Sequence, residues 1–195
     1  MPFINVNGIQ LHYEIEGNGT PLLIISGTGA DLRNPRPDYP TFEGFQVLRY
    51  DQRGLGQTAS PKGTYTMGDY ADDAASLLDN LEIDRINVIG ISFGGMVAQH
   101  LVTRYPSKVK KLVLACTSPG GEHFSSFDLR EILLDSSNKV ESWLQILDSR
   151  YKSSNDDLPT LNMIKDVLNK STKLFPNLVT DGLTRQLEAL SLIHI

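Results

Sequence analysis

The sequence predicts an α/β fold with a doubly wound, mostly parallel sheet and helices between its strands. Short apolar runs recur through the first 120 residues, and four of them are apolar nearly throughout, as strands covered on both faces are. Segments whose apolar residues recur at helical spacing separate the later runs. Strands that alternate with helices along a chain are typical of a parallel sheet, which gives this fold class.

The pattern predicts six strands, and the first two form a hairpin. Phe3–Val6 and Leu11–Ile15 are separated by Asn7-Gly8, a pair that favours a tight turn between antiparallel strands. The other four strands are predicted at Pro21–Ile25, Phe45–Tyr50, Ile86–Ile91 and Val109–Cys116. Cys116, the only cysteine, ends an apolar run, so we expect a buried thiol rather than a nucleophile.

Two helices are predicted between these strands. From Met67 to Leu81 the apolar residues recur at helical spacing, and Thr66 with Asp69 resembles a capping box. The segment Gly94–Tyr105 follows the same pattern until Pro106, which ends the helix.

The chain is expected to have three parts. Residues 1–120 form the core, and residues 121–189 form an incomplete helical lid, because only amphipathic helical patterns occur there. Residues 190–195 are expected to be a non-native tail, because they are what a DNA string resembling a sequencing adapter would encode.

The composition is ordinary for a soluble globular protein and argues against two classes of partner. Hydrophobic residues make up 40% of the chain, charged residues make up 21%, and the net charge of -5 offers no basic field for nucleic acid. The first residues lack a signal-peptide pattern, and no apolar run approaches the roughly 18 residues of a membrane span. We therefore expect a cytoplasmic protein that binds neither nucleic acid nor a membrane.

A serine in a glycine-rich turn is the strongest chemical signal. Gly90-Ile91-Ser92-Phe93-Gly94 lies between a predicted strand and a predicted helix, the context that a G-x-S-x-G nucleophile elbow requires. Small residues allow so sharp a turn to pack, and the following helix directs backbone N–H groups at developing negative charge. The pattern therefore predicts that Ser92 is a nucleophile.

Two further loops extend this pattern to a family resemblance. Ser26-Gly27-Thr28-Gly29 follows the third predicted strand, and Asp51-Gln52-Arg53-Gly54-Leu55-Gly56 follows the fourth. With the elbow, these segments resemble the serine-nucleophile α/β-hydrolase fold family of the D-x-R-G-x-G type, especially its enol-lactonases and esterases. The resemblance covers residues 2–120 well, so the chain would hold the first six strands of that fold and a partial helical lid.

The resemblance implies a site made of one side chain and two backbone groups. Ser92 would be the catalytic nucleophile, and the backbone N–H groups of Thr28 and Phe93 would form the oxyanion hole. Many relatives have His-Gly where this chain has Ser26-Gly27, which leaves open how the loop is anchored. Neither a metal nor an organic cofactor is implied.

The loop that begins at Asp51 admits two interpretations. In the family that the chain resembles, residues matching Asp51 and Arg53 are usually structural and tie this loop to the core. A dinucleotide site would also place Gly-x-Gly after one strand and an acid after the next. That alternative fails, because Leu32 occupies the third glycine position and the prolines within residues 34–40 prevent the required helix.

For the intact protein, the resemblance implies acyl transfer from a carboxylic ester or lactone to water through an acyl-enzyme on Ser92. The substrate would be a small molecule with an apolar portion, bound beneath the lid. Two alternatives stay open. The same fold supports carbon–carbon bond hydrolysis, lyase and cofactor-free peroxidase reactions, and a homologue that has lost catalysis could bind a small ligand.

The sequence does not supply a complete catalytic triad. The order in this fold is serine, acid and histidine, with the last two on loops after later strands. His12 and His100 fall in a predicted strand and helix and are interpreted as structural. His123 beside Glu122 is a poor candidate, because one adjacent pair cannot easily supply both partners, and His194 lies in the expected tail. We therefore expect the 195-residue chain to be nearly inactive.

The last predicted strand generates a prediction about solubility. Without further strands to cover it, Val109–Cys116 would be an apolar sheet edge, which promotes association between chains. We expect the expressed chain to associate, as measured by size-exclusion chromatography with light scattering. A monomer that melts cooperatively would contradict this expectation.

Overall fold

A computed structural model of the chain describes residues 2–33, 42–120 and 181–191. Within these ranges it contains six strands and three α-helices. The strands are β1 (Phe3–Val6), β2 (Ile9–Gly17), β3 (Thr20–Ile25), β4 (Phe45–Tyr50), β5 (Ile86–Ile91) and β6 (Val109–Ala115). The helices are α1 (Met67–Asn80), α2 (Phe93–Arg104) and α3 (Asp181–Ser191), and a 3-10 turn at Pro106–Lys108 precedes β6.

The strand order confirms the predicted fold class. The strands lie in the order β1-β2-β4-β3-β5-β6, with β2 antiparallel to both of its neighbours and parallel pairing from β4 through β6. The chain passes from β3 to β4 on one side and then returns to β5 on the other. The direction of winding therefore changes between β3 and β5, and open α/β sheets bind ligands outside the carboxyl ends of their strands at such a point.

The local signals read from the sequence produce the elements expected of them. Asn7 and Gly8 have φ angles of 45° and 79°, as a two-residue hairpin turn requires. At α1, Thr66 Oγ1 accepts a hydrogen bond from Asp69 N–H at 3.2 Å, and the Asp69 carboxylate accepts one from Thr66 N–H at 2.7 Å. The predicted hairpin and capping box are therefore confirmed, and the helix bounds differ from prediction by one residue at the C-terminus of α1 and at both ends of α2.

The centre of the described sheet is buried on both faces. In β3, Leu23 and Ile25 belong to the main core cluster, which includes residues of α1 and α2. Leu22 and Ile24 point the other way and cluster with Val47 of β4. Alternate side chains of one strand thus enter two cores, which explains why this run is apolar throughout.

The last described strand differs from the centre of the sheet. β6 pairs with β5 alone among the described strands, and the side chains of Val113 and Leu114 are exposed. The expectation of a buried Cys116 is wrong, because this residue is exposed. It follows the end of β6 with a φ of 50°, so the chain leaves the extended conformation at the edge of the described sheet.

The described residues all belong to one compact unit, which comprises residues 1–125 and 180–195. Most of the expected lid, residues 126–179, is assigned to a second unit that lies outside the described ranges. Helix α3 spans the boundary at residue 189 between the expected lid and tail. No helix in the described part of the chain is long and apolar enough to cross a membrane.

A buried ion pair joins the loop after β4 to α1. Arg53 Nε and Nη2 each donate a hydrogen bond of 2.7 Å to Asp73, whose side chain is 1% exposed. Asn7 Nδ2 donates to the same carboxylate at 3.0 Å. Burial lowers the pKa of Arg53, but the hydrogen bond and the charge of Asp73 outweigh it and raise the pKa above its usual value. The structural role implied for Arg53 is confirmed by these contacts.

This pair yields a stability prediction with an internal control. Arg53→Met leaves the Asp73 carboxylate buried without its partner, which should lower the free energy of unfolding by about 3–5 kcal/mol. Arg104 makes the same bidentate contact with Asp72, but these side chains are 46% and 34% exposed. Arg104→Met should therefore cost less than about 1 kcal/mol. Urea denaturation measures the unfolding free energy of both variants. Equal losses in the two variants would contradict the claim that burial makes the Arg53–Asp73 pair important for stability.

Candidate functional site

Ser92 lies at a strained turn between β5 and α2. Its φ and ψ are 53° and -119°, a conformation that residues with a side chain rarely adopt and that costs on the order of 1–3 kcal/mol. Its N–H donates to the carbonyl of Ala115 at 2.9 Å, and its own carbonyl accepts from the Thr117 hydroxyl at 2.7 Å. These bonds to the end of β6 hold the turn in place, and they leave the half-buried Ser92 side chain at the carboxyl end of the sheet.

Glycines around the elbow allow α2 to approach the sheet closely. A Cβ on Gly90 would lie 2.6 Å from the carbonyl oxygen of Gly94, and a Cβ on Gly94 would overlap the carbonyl of Ile25 in β3. A Cβ on Gly95 would lie 2.6 Å from the side chain of Thr117. No side chain fits at these three positions without moving backbone or neighbouring residues, so the G-x-S-x-G-G pattern has a steric cause.

The loop Ser26–Gly29, here called the oxyanion loop after the role predicted for Thr28, lies against the elbow. A Cβ built on Gly27 would be 3.3 Å from Ser92 Cβ and 3.8 Å from Ser92 Oγ. The N–H groups of Thr28 and Phe93 donate to no acceptor within the described residues. For Phe93 the reason is its position, because the first N–H groups of a helix lack intrahelical acceptors. The structure thus brings this loop to Ser92, and the oxyanion role of Thr28 and Phe93 stays a prediction.

Two glutamines anchor the oxyanion loop. Gln52 Nε2 donates to the carbonyl of Ser26 at 2.9 Å, and Gln186 Oε1 accepts from Gly29 N–H at 2.9 Å. The sequence left open what replaces the histidine found in many relatives, and it placed residue 186 in the lid. The only available signal for Gln52 was its place in the Asp51–Gly56 motif, and no local pattern pointed to Gln186.

Helix α3 reaches the oxyanion loop because its first turns pack against two loops of the core. Gly182 approaches the backbone of Gly54 so closely that a Cβ at position 182 would overlap the carbonyl of Gly54. Arg185 donates to the carbonyl of Pro61 and, at 2.7 Å, to the hydroxyl of Tyr65. These contacts place Gln186 beside Gly29.

The Asp51 carboxylate is a buried junction rather than a ligand-binding group. It accepts hydrogen bonds from the N–H groups of Leu32 and Gln57 at 2.6 and 2.9 Å. His12 Nδ1 lies 2.9 Å from Asp51 Oδ2, and both side chains are fully buried. The structural interpretation of Asp51 is confirmed, and its occupied oxygens are not available to a ribose.

Aromatic rings connect the Arg53 pair to the elbow. The ring of Tyr70 in α1 packs edge-on against Phe93, with the centroids 5.0 Å apart, and the Arg53 guanidinium lies 6.0 Å from the Tyr70 ring centre. Burial, the largest cause, raises the pKa of Tyr70 well above its usual value, so the phenol stays neutral. Phe93, the residue after Ser92, therefore packs on a neutral aromatic ring.

None of the described histidines bonds to Ser92 Oγ. His12 contacts Asp51, as above, and His100 lies two turns along α2, where burial and then Arg104 lower its pKa. Both therefore hold the structural positions expected of them. His123, Glu122 and His194 lie outside the described residues. Residues 2–33, 42–120 and 181–191 also contain no group of three or more side chains arranged to hold a metal ion.

Comparison with known proteins is consistent with this geometry. A family model described as alpha/beta hydrolase fold matches residues 20–178. The chain is 39% identical over 102 residues to a poly(3-hydroxyalkanoate) depolymerase of Ectopseudomonas oleovorans. This matched region covers 52% of this chain and 36% of the relative. It is 34% identical over 134 residues to a putative carbamate hydrolase of Variovorax paradoxus, covering 65% of this chain and 50% of the relative. The chain thus spans half or less of these curated relatives.

A solved structure shows the same fold. The enol-lactonase of Burkholderia xenovorans superposes with a TM-score of 0.67 at 26% identity, covering 98% of this chain and 74% of that one.

The crowding at the elbow predicts opposite effects for two matched substitutions. Gly94 and Gly68 are each the second residue of a helix. Gly94→Ala forces a methyl group into the carbonyl of Ile25, so we expect a loss of at least about 1–3 kcal/mol of unfolding free energy. Gly68→Ala places its Cβ 3.4 Å from Thr66 Oγ1, an ordinary contact, and should stabilise by about 0.4–1 kcal/mol. Thermal denaturation measures both changes, and a Gly94→Ala variant as stable as the parent would contradict the steric account.

Proposed function

Because the chain belongs to the α/β-hydrolase fold family, we propose that it carries the nucleophile and oxyanion hole of a serine hydrolase that acts on carboxylic esters or lactones. One observation carries the proposal. Ser92 occupies a strained turn beside the oxyanion loop, and the N–H groups of Thr28 in that loop and of Phe93 after Ser92 have no acceptor among the described residues. Neither a strained serine nor close packing of two glycine-rich loops is needed for sheet formation alone.

The arrangement supports attack of Ser92 Oγ on the carbonyl carbon of the substrate. The carbonyl oxygen then gains negative charge, which the N–H groups of Thr28 and Phe93 stabilise more strongly than they stabilise the ground state. Collapse of this intermediate expels the alcohol and leaves an acyl group on Ser92, which water removes. The histidine base and orienting acid that the family implies are not among the described residues.

The proposed substrate class rests on what the similar proteins are named for. Enol-lactonase and poly(3-hydroxyalkanoate) depolymerase are named for substrates that contain carboxylic ester linkages. We infer a small ester or lactone with an apolar portion as the substrate of this chain, bound without a metal or an organic cofactor. The whole protein's substrate would be selected by residues beyond those of the elbow.

The test uses an activated ester and an added base. With p-nitrophenyl butyrate and imidazole, which can take the proton from Ser92 Oγ, the chain should form a butyryl adduct that mass spectrometry locates on Ser92. Ser92→Ala should reduce ester cleavage to the rate of imidazole alone, because the variant has no hydroxyl at position 92 to accept the acyl group.

The matched control is Ser107→Ala, which removes an exposed serine in the turn before β6. It should acylate as fast as the parent chain. Equal cleavage by the parent and the Ser92→Ala variant, with no adduct on either, would refute the proposed function.

A further inference from the structure

We propose that Gln52 and Gln186 are positioning residues that orient the N–H of Thr28 toward the substrate oxyanion. This inference rests on the proposed function of Ser92. It assigns to Gln186, a residue of α3, a part in the site that neither the sequence pattern nor the family comparison gives it.

The hydrogen bonds of Gln52 and Gln186 hold the two peptide groups on either side of the peptide that carries the Thr28 N–H. The N–H of Thr28 belongs to the peptide between Gly27 and Thr28. Gln52 holds the preceding peptide by the Ser26 carbonyl, and Gln186 holds the following peptide by the Gly29 N–H. Since each peptide group is planar, fixing both neighbours restricts the one between them to a narrow range of orientations.

A third hydrogen bond sets the direction of that central peptide. The carbonyl of Gly27 accepts from Ala30 N–H at 3.2 Å, within the same turn. In a trans peptide the N–H points opposite to the carbonyl, so the N–H of Thr28 is directed away from the turn. The chain has no cis peptide bond among the described residues. The residue before Thr28 borders the nucleophile, because a Cβ built on Gly27 would lie 3.3 Å from Ser92 Cβ.

The burial of Gln52 and Gln186 indicates that stability alone does not explain why glutamine occupies these two positions. Gln186 and Gln52 are 0% and 1% exposed, yet Gln186 Nε2 and Gln52 Oε1 have no hydrogen-bond partner among the described residues. A buried polar group without a partner is unfavourable, and an apolar side chain of similar shape would avoid that penalty. The hydrogen bonds that the two side chains do make are both to the oxyanion loop.

Gln186 could instead serve only to dock α3 against the core. Other residues of α3 have that docking role, so the two roles of Gln186 can be distinguished. Gly182 and Arg185 fix α3 against Gly54, Pro61 and Tyr65 without touching the oxyanion loop. If Gln186 merely helped to dock α3, its removal would resemble that of Arg185. If it positions Thr28, its removal would affect the oxyanion alone.

The central experiment measures affinity for butylboronic acid, which forms a tetrahedral, negatively charged adduct with a serine nucleophile. Gln186→Met removes the acceptor and keeps the shape. We expect its boronate affinity to fall about tenfold or more, because loss of a whole oxyanion donor costs about 100- to 1,000-fold. With p-nitrophenyl butyrate and imidazole, the maximal acylation rate should fall similarly while the half-saturating ester concentration stays unchanged. The melting temperature should be unchanged or higher, a combination that a purely structural residue would not produce.

Gln186→Glu supplies a second variant with its own signature. The introduced carboxyl keeps an oxygen that can accept from Gly29 N–H, so its neutral form should restore boronate binding. Its ionised form adds negative charge beside the oxyanion, so the affinity should decline as pH rises through a new ionisation that Gln186→Met lacks. The same loss at every pH would contradict the proposal.

Arg185→Met is the matched control. It removes the bonds from α3 to Pro61 and Tyr65 and leaves Gly182 packed against Gly54, so it should lower the melting temperature while its boronate affinity falls less than that of Gln186→Met. The inference is overturned if Gln186→Met binds the boronic acid as tightly as the parent does, or if Arg185→Met loses as much affinity. If Ser92 is not a nucleophile, so that the proposed function is wrong, the boronate experiment gives a different result. In that case the Ser92→Ala variant and the parent would bind the boronic acid equally, whatever stands at position 186.

Discussion

The close approach of α2 to the carboxyl ends of β3 and β6 is the constraint on which the site depends. Gly90, Gly94 and Gly95 each lack room for a Cβ, so the helix can begin directly after Ser92 and next to the oxyanion loop. This spacing gives Ser92 a positive φ of 53°, a conformation that the chain must stabilise from outside the turn. Ser92 is held by its hydrogen bonds with the Ala115 carbonyl and the Thr117 hydroxyl, and the next residue is held by the Tyr70–Phe93 contact.

Stabilisation of the elbow is thus divided between apolar packing and buried charge. Phe93 rests on Tyr70, and Tyr70 lies beside a guanidinium that Asp73 neutralises. The oxyanion loop beside Ser92 is held by the carboxamides of Gln52 and Gln186, which are neutral. An uncharged anchor suits that position, because a fixed carboxylate there would oppose negative charge on a substrate oxygen. The surroundings of Ser92 therefore combine a paired buried charge with neutral carboxamides.

The sequence predicted what depends on neighbours along the chain, and missed what depends on distant partners. The Asn7-Gly8 turn, the Thr66–Asp69 capping box and the strand at Ile86–Ile91 follow from residues within a few positions of one another. Cys116 was misjudged, because its burial depends on what covers the edge of β6 rather than on its own apolar run. The bond from Gly29 to Gln186 joins residues 157 positions apart, and nothing in either local sequence marks it.

The Asp51 junction has a consequence for the order in which the chain folds. Its carboxylate joins groups 39, 19 and 6 residues away, on β2 and on the loops after β3 and β4. The longest of these contacts forms only when β2 and β4 are brought together, and closing that loop costs entropy that the contact must offset. Until then the charge stays hydrated, and burying it alone would be unfavourable. Asp51 is therefore suited to lock the loops late in folding, after the strands have assembled, rather than to nucleate them.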